Sequence, residues 1–275
     1  CSKNLANLIM ENKSKELEVA IQAALAAGKI IEEHFETEIV RGYKEDKSIV
    51  TKVDKESEDT IVKIINKAFP EHSIFGEETG HTKNSGVHTW YIDPIDGTRN
   101  FVNGVPLFAL SIALEYQNNI IIGVIYNPVS KSLFYAEAGK GAFLNDKKIN
   151  VSKDDAGHAI LVSGKGSGAT DRKFVRFLMH YLPEKFTGLT VRDLGCCALD
   201  LAILARGGFE VSIELGLSGY DFAAGTLLVQ EAGGMITNID GSLWKFPGNN
   251  FIASNGVFHD EVVKEINKQK EKLNS

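Results

Sequence analysis

Apolar residues recur every three or four positions in two stretches near the start of the chain, which predicts two amphipathic helices. The first covers residues 14–35 and the second residues 54–69, where Pro70 ends it. A polar loop and a short strand at 49–51 separate them. The chain therefore opens with a helical layer that needs another layer on which to bury its apolar face.

The pattern changes to alternating and β-branched runs in the middle of the chain. Polar turn residues separate three such runs, at 107–116, 120–127 and 133–138. Shorter runs of the same kind at 73–76 and 89–93 precede them. The spacing predicts an antiparallel meander.

After residue 151 strands and helices alternate. The predicted strands are 159–163 and 209–214, and the predicted helices are 171–181, 198–205, 221–232 and 260–272. We therefore predict an α+β protein with two lobes, an N-terminal α+β lobe over 1–150 and a C-terminal α/β lobe over 151–275.

Composition excludes several classes of protein. With 36 acidic and 30 basic residues the net charge is −6, which argues against a nucleic acid polymer as partner. The longest apolar stretches, such as 120–126, are too short to cross a bilayer, so we expect no membrane partner. Cys196 and Cys197 are adjacent, which is poor geometry for a disulfide, and this favours a cytoplasmic location. Cys1 leaves the native N-terminus open.

The most informative segment is 90–98, where an apolar strand leads into two carboxylates three residues apart, Asp93 and Asp96. Pro94 holds Asp93 in an extended conformation, so both carboxylates and the carbonyl of Ile95 can converge at the strand end. These hard oxygen ligands suit a divalent cation, magnesium above all.

Gly97 and Thr98 follow at the point where the chain turns. Gly97 permits a sharp bend, and the two backbone N–H groups are well placed to receive an anion. The segment thus describes a cation and phosphate site. An Asp-Gly turn with solvated acids is the plainer interpretation.

Four further acids stand at element boundaries. Glu77 and Glu78 follow a predicted strand, where a solvated loop is the alternative, whereas Asp54 and Asp221 begin predicted helices, where an N-cap is the alternative. Two unit charges about 4 Å apart repel by about 4 kcal/mol at an effective dielectric constant of about 20. If these acids converge with Asp93 and Asp96, cations must hold them together.

Two motifs together resemble the inositol monophosphatase family, within the magnesium-dependent, lithium-sensitive sugar phosphatase superfamily. They are DPIDGT at 93–98 and GYDFAAG at 219–225, and the likeness runs from residue 44 to about residue 255. The resemblance implies the layered αβαβα sandwich of the fructose-1,6-bisphosphatase/inositol monophosphatase type and a homodimer.

The resemblance also implies a site for two or three Mg²⁺ ions, where Mn²⁺ substitutes and Li⁺ inhibits. The implied metal ligands are Glu77, Asp93, Ile95, Asp96 and Asp221. The implied catalytic residues, which orient and activate the attacking water, are Asp54, Thr98 and Glu77. The resemblance further implies that the backbone N–H groups of Gly97 and Thr98 bind the phosphate and that Glu78 and Lys44 play supporting roles.

On the substrate side, residues 192–198 are similar to an Arg-x-x-Gly-Ser/Thr-x-Ala segment of the family. This implies substrate contacts from Arg192, Gly195 and Cys196. Glu214 matches the acid that contacts ring hydroxyls in inositol-specific members, and a glycine-rich loop at 164–168 is expected near the substrate.

Three departures from the family pattern stand close to these segments. Cys196 replaces a common hydroxyl residue, Tyr220 replaces a common Trp, and Arg99 follows Thr98 where another Thr is frequent. The side-chain hydrogen bond at position 196 and the rim of the pocket are therefore expected to differ.

The implied function is a Mg²⁺-dependent phosphomonoesterase that hydrolyses inositol monophosphate or a similar sugar phosphate by direct attack of a metal-activated water. Alternatives in the same class are a fructose-1,6-bisphosphatase or broad sugar-phosphate phosphatase, and then a 3′-phosphoadenosine 5′-phosphate phosphatase. A non-catalytic relative that binds a cation or ligand is the alternative from another class. The expected partner is a small phosphate ester.

Overall fold

Seven helices are found in the part of the chain that the computed structural model describes, residues 13–37, 40–44, 49–164 and 169–274. They are α1 (Lys15–His34), α2 (Lys52–Ala68), α3 (Thr98–Val102), α4 (Ala169–Lys185), α5 (Cys197–Ala205), α6 (Gly219–Glu231) and α7 (His259–Asn274). A small ribbon joins β1 (Gly42–Tyr43) to β2 (Ile49–Val50).

An eight-stranded sheet forms the first half of the molecule. Its strands are β3 (Ser73–Gly76), β4 (Gly80–Thr82), β5 (His88–Asp96), β6 (Ala109–Tyr116), β7 (Asn119–Asn127), β8 (Ser132–Glu137), β9 (Gly141–Leu144) and β10 (Lys147–Ile149). The spatial order is β10-β9-β8-β7-β6-β5-β3-β4. Only the β3–β5 pair is parallel, and β6 to β10 form an antiparallel meander, of which the sequence predicts β6 to β8.

A five-stranded sheet forms the second half. Its strands are β11 (Ile160–Ser163), β12 (Thr190–Arg192), β13 (Val211–Leu215), β14 (Met235–Asn238) and β15 (Asn250–Ser254), in the order β12-β11-β13-β15-β14. The β11–β12 and β11–β13 pairs are parallel, whereas β13, β15 and β14 pair antiparallel.

The helices and sheets stack in five layers. Helices α1 and α2 cover one face of the larger sheet, α5 and α6 lie between the two sheets, and α4 and α7 cover the outer face of the smaller sheet. Because α5 and α6 are covered on both sides, nearly every residue of α5 and all of residues 222–229 in α6 are buried. This is the αβαβα sandwich that the family resemblance implies.

Side chains alternate between the layers along each strand. On β6, Ile112 and Leu114 pack towards α1 and α2, whereas Ala113 packs towards α6. On β11, Leu161 faces the outer helices and Val162 faces the middle layer.

Some predicted boundaries need correction. Strand β5 continues through Asp96 rather than ending at Asp93, since a register shift between the two residues accommodates Pro94, which has no N–H to donate. Helix α4 continues past the predicted end to Lys185 with Pro183 in its last turn. In the described part of the chain, no helix has the length and hydropathy needed to span a membrane.

Candidate active site

The end of β5 carries the first two predicted ligands. Asp93 is 1% exposed, and its Oδ1 accepts the backbone N–H of Ile95 at 2.9 Å. Asp96 lies beyond the register shift, and its Oδ2 accepts the N–H of Ala198 at the start of α5, at 2.6 Å. The loop across Pro94 thus directs two carboxylates to the place where the larger sheet meets the middle helices.

Gly97 reverses the chain after these acids. Its φ of +87° lies in the left-handed region, and a Cβ atom there would come within 3.1 Å of the Leu107 carbonyl and 3.2 Å of Cys196 Cβ. Glycine is therefore required both for the turn and for the close approach of the 195–196 backbone. The N–H of Gly97 donates to the Asp96 carboxylate, and Gly97 caps the short helix α3.

Asp54 and Thr98, the predicted catalytic pair, come together. Thr98 Oγ1 lies 3.4 Å from Asp54 Oδ1 and 3.0 Å from the carbonyl oxygen of Ile95. Asp54 Oδ2 accepts both the N–H of Thr51, at 2.8 Å, and its hydroxyl, at 2.6 Å. Burial raises the pKa of Asp54, and the negative charge of Glu77 raises it further.

The N-cap interpretation of Asp54 and Asp221 is wrong. Thr51 and Ser218 are the N-caps of α2 and α6, and each Asp is the third helical residue, whose carboxylate accepts the N–H of the cap residue. For Asp221 that distance, from Ser218 N to Oδ2, is 2.7 Å. The pattern Ser/Thr-x-x-Asp gives the cap a carboxylate partner and leaves the other Asp oxygen for the site.

Glu77 and Glu78 lie in the turn between β3 and β4, and Lys44 from the β1–β2 ribbon holds both. Its ammonium nitrogen is 2.8 Å from Glu77 Oε1 and 2.5 Å from Glu78 Oε1. Burial alone would lower the pKa of Lys44, but the two carboxylates outweigh it and raise that pKa well above its ordinary value. Residues 45–48 of the predicted early motif lie outside the described residues.

The acids from these four segments act on one another. Burial raises the pKa of Asp93 far above its ordinary value, and the charges of Glu77, Asp96 and Asp221 raise it further. The Glu77 carboxyl also lies within hydrogen-bonding reach of Asp93, and this contact raises the pKa of Asp93 further. Burial raises the pKa of Asp96 to about 6 and that of Asp221 far above its ordinary value.

This donor set fits a hard divalent cation. It consists of carboxylate oxygens whose negative charges raise the pKa values of Asp93, Asp96 and Asp221, and the positive charge of Lys44 already pairs with Glu77. Among the described residues, no three His, Cys, Asp or Glu side chains are gathered closely enough to form a finished metal site. The backbone N–H groups of Ile95, Ala198 and Ser218 each hold one oxygen of Asp93, Asp96 and Asp221, respectively.

Comparison with known proteins shows which family the chain resembles. The model of the inositol monophosphatase family matches residues 12–271. The chain is 35% identical over 266 residues to a fructose-1,6-bisphosphatase/inositol-1-monophosphatase of Aquifex aeolicus, covering 95% of this chain and 99% of that protein. It is 38% identical over 266 residues to an inositol-1-monophosphatase of Mesorhizobium japonicum, covering 93% and 97%. The crystal structure of the extragenic suppressor protein suhB from Bartonella henselae superposes with a TM-score of 0.86 at 32% identity, covering 92% and 98%.

The chain belongs to the inositol monophosphatase family. It is accordingly a phosphoric monoester hydrolase, and the class of its substrates is sugar phosphates. The shared fold is the αβαβα sandwich described above.

Glu214, which the resemblance predicts to contact ring hydroxyls, is fully buried on β13. Its carboxylate accepts the Ser212 hydroxyl at 2.6 Å and the N–H of Gly164 at 3.1 Å. Burial raises the pKa of Glu214 to about 7, and the charge of Asp96 contributes. Glu214 therefore lies within electrostatic reach of the acidic cluster, although it belongs to the other sheet. Residues 165–168 of the predicted substrate loop lie outside the described residues.

The remaining substrate-side residues divide into two groups. Cys196 and Gly195 lie against the cluster, since the Cys196 thiol hydrogen-bonds to Asp96 and the Gly195 carbonyl packs on Gly97. Arg192 is exposed, and its guanidinium donates to the Val191 carbonyl at 2.8 Å. Within the described residues, no hydrogen bond or ion pair joins Arg192 to the acids of the site.

Three residues close to the site were not predicted from the sequence. Cys197 hydrogen-bonds to Glu214, and the Asp200 carboxyl is 1% exposed with no hydrogen-bond partner for either oxygen. Glu58 on α2 binds two backbone N–H groups in the turn that carries Glu77. A signal for Glu58 exists in the sequence, because it stands four residues after Asp54, on the same face of one helix as Ile61 and Ile65.

Proposed function

We propose that this member of the inositol monophosphatase family hydrolyses inositol monophosphate, or a similar sugar phosphate, and that it requires Mg²⁺. The observation that carries the proposal is the cluster of carboxylates with raised pKa values beside the left-handed turn at Gly97. Such a cluster is unfavourable by itself and favourable around cations.

The residues proposed to hold the cations are the carboxylates Glu77, Asp93, Asp96 and Asp221 and the carbonyl of Ile95. A divalent cation bound there lowers the pKa of water and stabilises negative charge on phosphoryl and leaving-group oxygens. The Asp oxygens not engaged by Ile95, Ala198 and Ser218 are those available for it. Mn²⁺ is expected to substitute and Li⁺ to inhibit.

Thr98 and Asp54 handle the proton of the attacking water in this proposal. The Thr98 hydroxyl orients the water and accepts its proton while passing its own proton to Asp54 Oδ1, which lies 3.4 Å away. Glu77 and Glu78 support the same side of the site. The water oxygen forms the new bond to phosphorus as the ester P–O bond breaks, and the leaving alkoxide takes a proton from solvent. The products are inorganic phosphate and the free alcohol.

The N–H groups of Gly97 and Thr98 are proposed to bind the phosphate. In the described structure the Gly97 N–H donates to Asp96, so substrate binding exchanges one anionic acceptor for another. Turn N–H groups of this kind are effective ligands for anions.

Glu214 is proposed to determine which alcohol portion of the phosphate ester the site accepts. Its buried carboxylate is held by Ser212 and Gly164, which leaves it as a fixed acceptor for a ring hydroxyl. Inositol monophosphate is therefore the first candidate, and fructose 1,6-bisphosphate is the second because the Aquifex relative carries both activities in its name. On the basis of the family resemblance we also propose that the protein is a cytoplasmic homodimer. Light scattering tests the dimer.

A panel of phosphate esters, assayed for phosphate release with Mg²⁺ and with a chelator, tests this function. We expect Mg²⁺-dependent release that is fastest with inositol monophosphate, then fructose 1,6-bisphosphate, then 3′-phosphoadenosine 5′-phosphate. No release from any ester, with cation binding retained, would indicate a non-catalytic relative and overturn the proposal.

A further inference from the structure

The turn that carries Glu77 and Glu78 is fixed by three successive backbone N–H groups. The first, from Glu77, donates to the Ile92 carbonyl on β5 at 3.0 Å and so continues the sheet. The next two leave the sheet: Glu78 N donates to Glu58 Oε2 at 2.9 Å and Thr79 N donates to Glu58 Oε1 at 2.6 Å. The Glu58 carboxylate thus binds the turn with both oxygens.

Glu58 is fully buried on α2, one helical turn after Asp54. A buried carboxylate is costly unless its oxygens are hydrogen-bonded, and here both accept backbone N–H groups. The packing is close, because a Cβ atom at Gly76 would overlap Glu58 Oε1. The absence of a side chain at Gly76 therefore provides the space that the Glu58 carboxylate occupies next to the turn.

We propose that Glu58 is a positioning residue for Glu77 and thereby sets the affinity of the site for divalent cations. Both of its carboxylate oxygens are already engaged by backbone N–H groups, so we assign it no contact with substrate or reacting atoms. It holds the backbone from which Glu77 projects, and it does so from the helix that also carries Asp54. This proposal rests on the proposed function, since it requires Glu77 to be a cation ligand.

The affinity of a metal site depends on how firmly its ligand carboxylates are held in place. If the turn is loose, Glu77 samples many orientations, and cation binding must supply the free energy to order it. Partners that orient the ligands of a metal site typically change its affinity by about 10-fold to 100-fold when they are removed. We therefore expect a cation-affinity defect rather than a stability defect alone.

The test is Mn²⁺ binding to the purified chain, measured from the electron paramagnetic resonance signal of free Mn²⁺. The variant is Glu58→Gln, which keeps the shape but replaces one acceptor oxygen by a donor. The matched control is Glu231→Gln, because Glu231 also binds two backbone N–H groups of a turn, those of Gly139 and Gly141 at 2.7 Å each, away from the site. Thermal midpoints of both variants are recorded without metal.

We expect Glu58→Gln to bind Mn²⁺ at least about 10-fold more weakly than wild type, and Glu231→Gln to bind within about twofold of wild type. Wild-type affinity in Glu58→Gln, or an equal loss in both variants, would overturn the positioning role while leaving the proposed function intact. A wild-type chain that binds no Mn²⁺ would instead overturn both. Should Glu58→Gln fail to fold, hydrogen exchange in the wild type decides: we expect slow exchange of the Glu78 and Thr79 amides, and unprotected amides would overturn the proposal.

Discussion

The ammonium nitrogen of Lys44 lies 2.8 Å from Oε1 of Glu77, the residue that we propose as a cation ligand. The same nitrogen is 2.5 Å from Oε1 of Glu78, and the Lys44 side chain is only 25% exposed. Lys44 thus supplies a positive charge where a metal ion would supply one. A divalent cation that binds Glu77 must compete with this ion pair.

Replacing Lys44 by Met is therefore expected to strengthen cation binding and weaken the metal-free fold. The carboxylates of Glu77 and Glu78 lose their only described ion-pair partner, so the metal-free thermal midpoint falls. We expect Mn²⁺ affinity to rise by roughly threefold to tenfold because the competing charge is gone. Titration calorimetry with Lys52→Met as control, an exposed lysine paired with Glu56, checks this. Weaker Mn²⁺ binding in Lys44→Met would contradict the competition.

The pH dependence of stability should report the acidic cluster. Asp96 has a folded-state pKa of about 6 against an ordinary value of 3.8, so the folded chain binds this proton more tightly than the unfolded chain. Its contribution to stability is thus complete below about pH 4 and is lost as the pH rises through about 6. The full loss is on the order of 3 kcal/mol.

Buried His72 and His259 have lowered pKa values, so their contributions to stability increase as the pH rises, opposite to that of Asp96. The prediction therefore concerns the difference in stability between wild type and Asp96→Asn. In the presence of a chelator, Asp96→Asn should gain stability relative to wild type as the pH rises from 5 to 8. Urea unfolding at several pH values measures this, and saturating Mn²⁺ should remove the advantage at pH 8. A constant difference across this range would contradict the assignment.

Glu214→Gln should change substrate choice rather than catalysis. The buried carboxylate accepts from Ser212 and Gly164, and an amide cannot accept an additional ring hydroxyl in the same way. We expect kcat/KM for inositol monophosphate to fall by at least about 10-fold, with less than about a threefold change for an aryl phosphate. Glu210→Gln is the control, since Glu210 is a buried glutamate that accepts from Ile160 N and Ser152 Oγ. Equal losses on both substrates would argue against selection by Glu214.

The adjacent cysteines should resist alkylation in the native state. Cys196 and Cys197 are 2% and 6% exposed, and burial raises both thiol pKa values well above the ordinary value. The thiolate is the reactive form, so we expect no modification of the 196–197 peptide by iodoacetamide at pH 8 until the chain is unfolded. Peptide mass spectrometry measures this, and rapid native modification would show that the segment opens.

Most of the fold was predictable because its helices and strands bury one face in a regular pattern. The helix that begins after Ser14 and the meander of β6 to β8 follow directly from such periodicity. Short edge strands such as β4 and β14 were missed, since three or four residues carry too little pattern and their pairing depends on partners far along the chain.

The position of the candidate site was predictable where several of its acids stand in one short segment, as Asp93 and Asp96 do. It was less predictable where contacts join distant residues. The bond from Ala198 N to Asp96 and the clamp of Glu58 on the Glu77 turn are set by packing between layers, which no local pattern records. The helix-start role of Asp221 was partly readable, because Ser218 three residues earlier completes a capping box.

Phosphate release from inositol monophosphate by wild type and Asp96→Asn, each with Mg²⁺ and with a chelator, tests the proposed cation site directly. We expect saturable Mg²⁺-dependent release by wild type and none in the chelator. In Asp96→Asn we expect a loss of at least about 1000-fold, with the fold retained by circular dichroism. Release that continues in the chelator, or near-normal turnover by Asp96→Asn in Mg²⁺, would contradict a cation site built on these carboxylates.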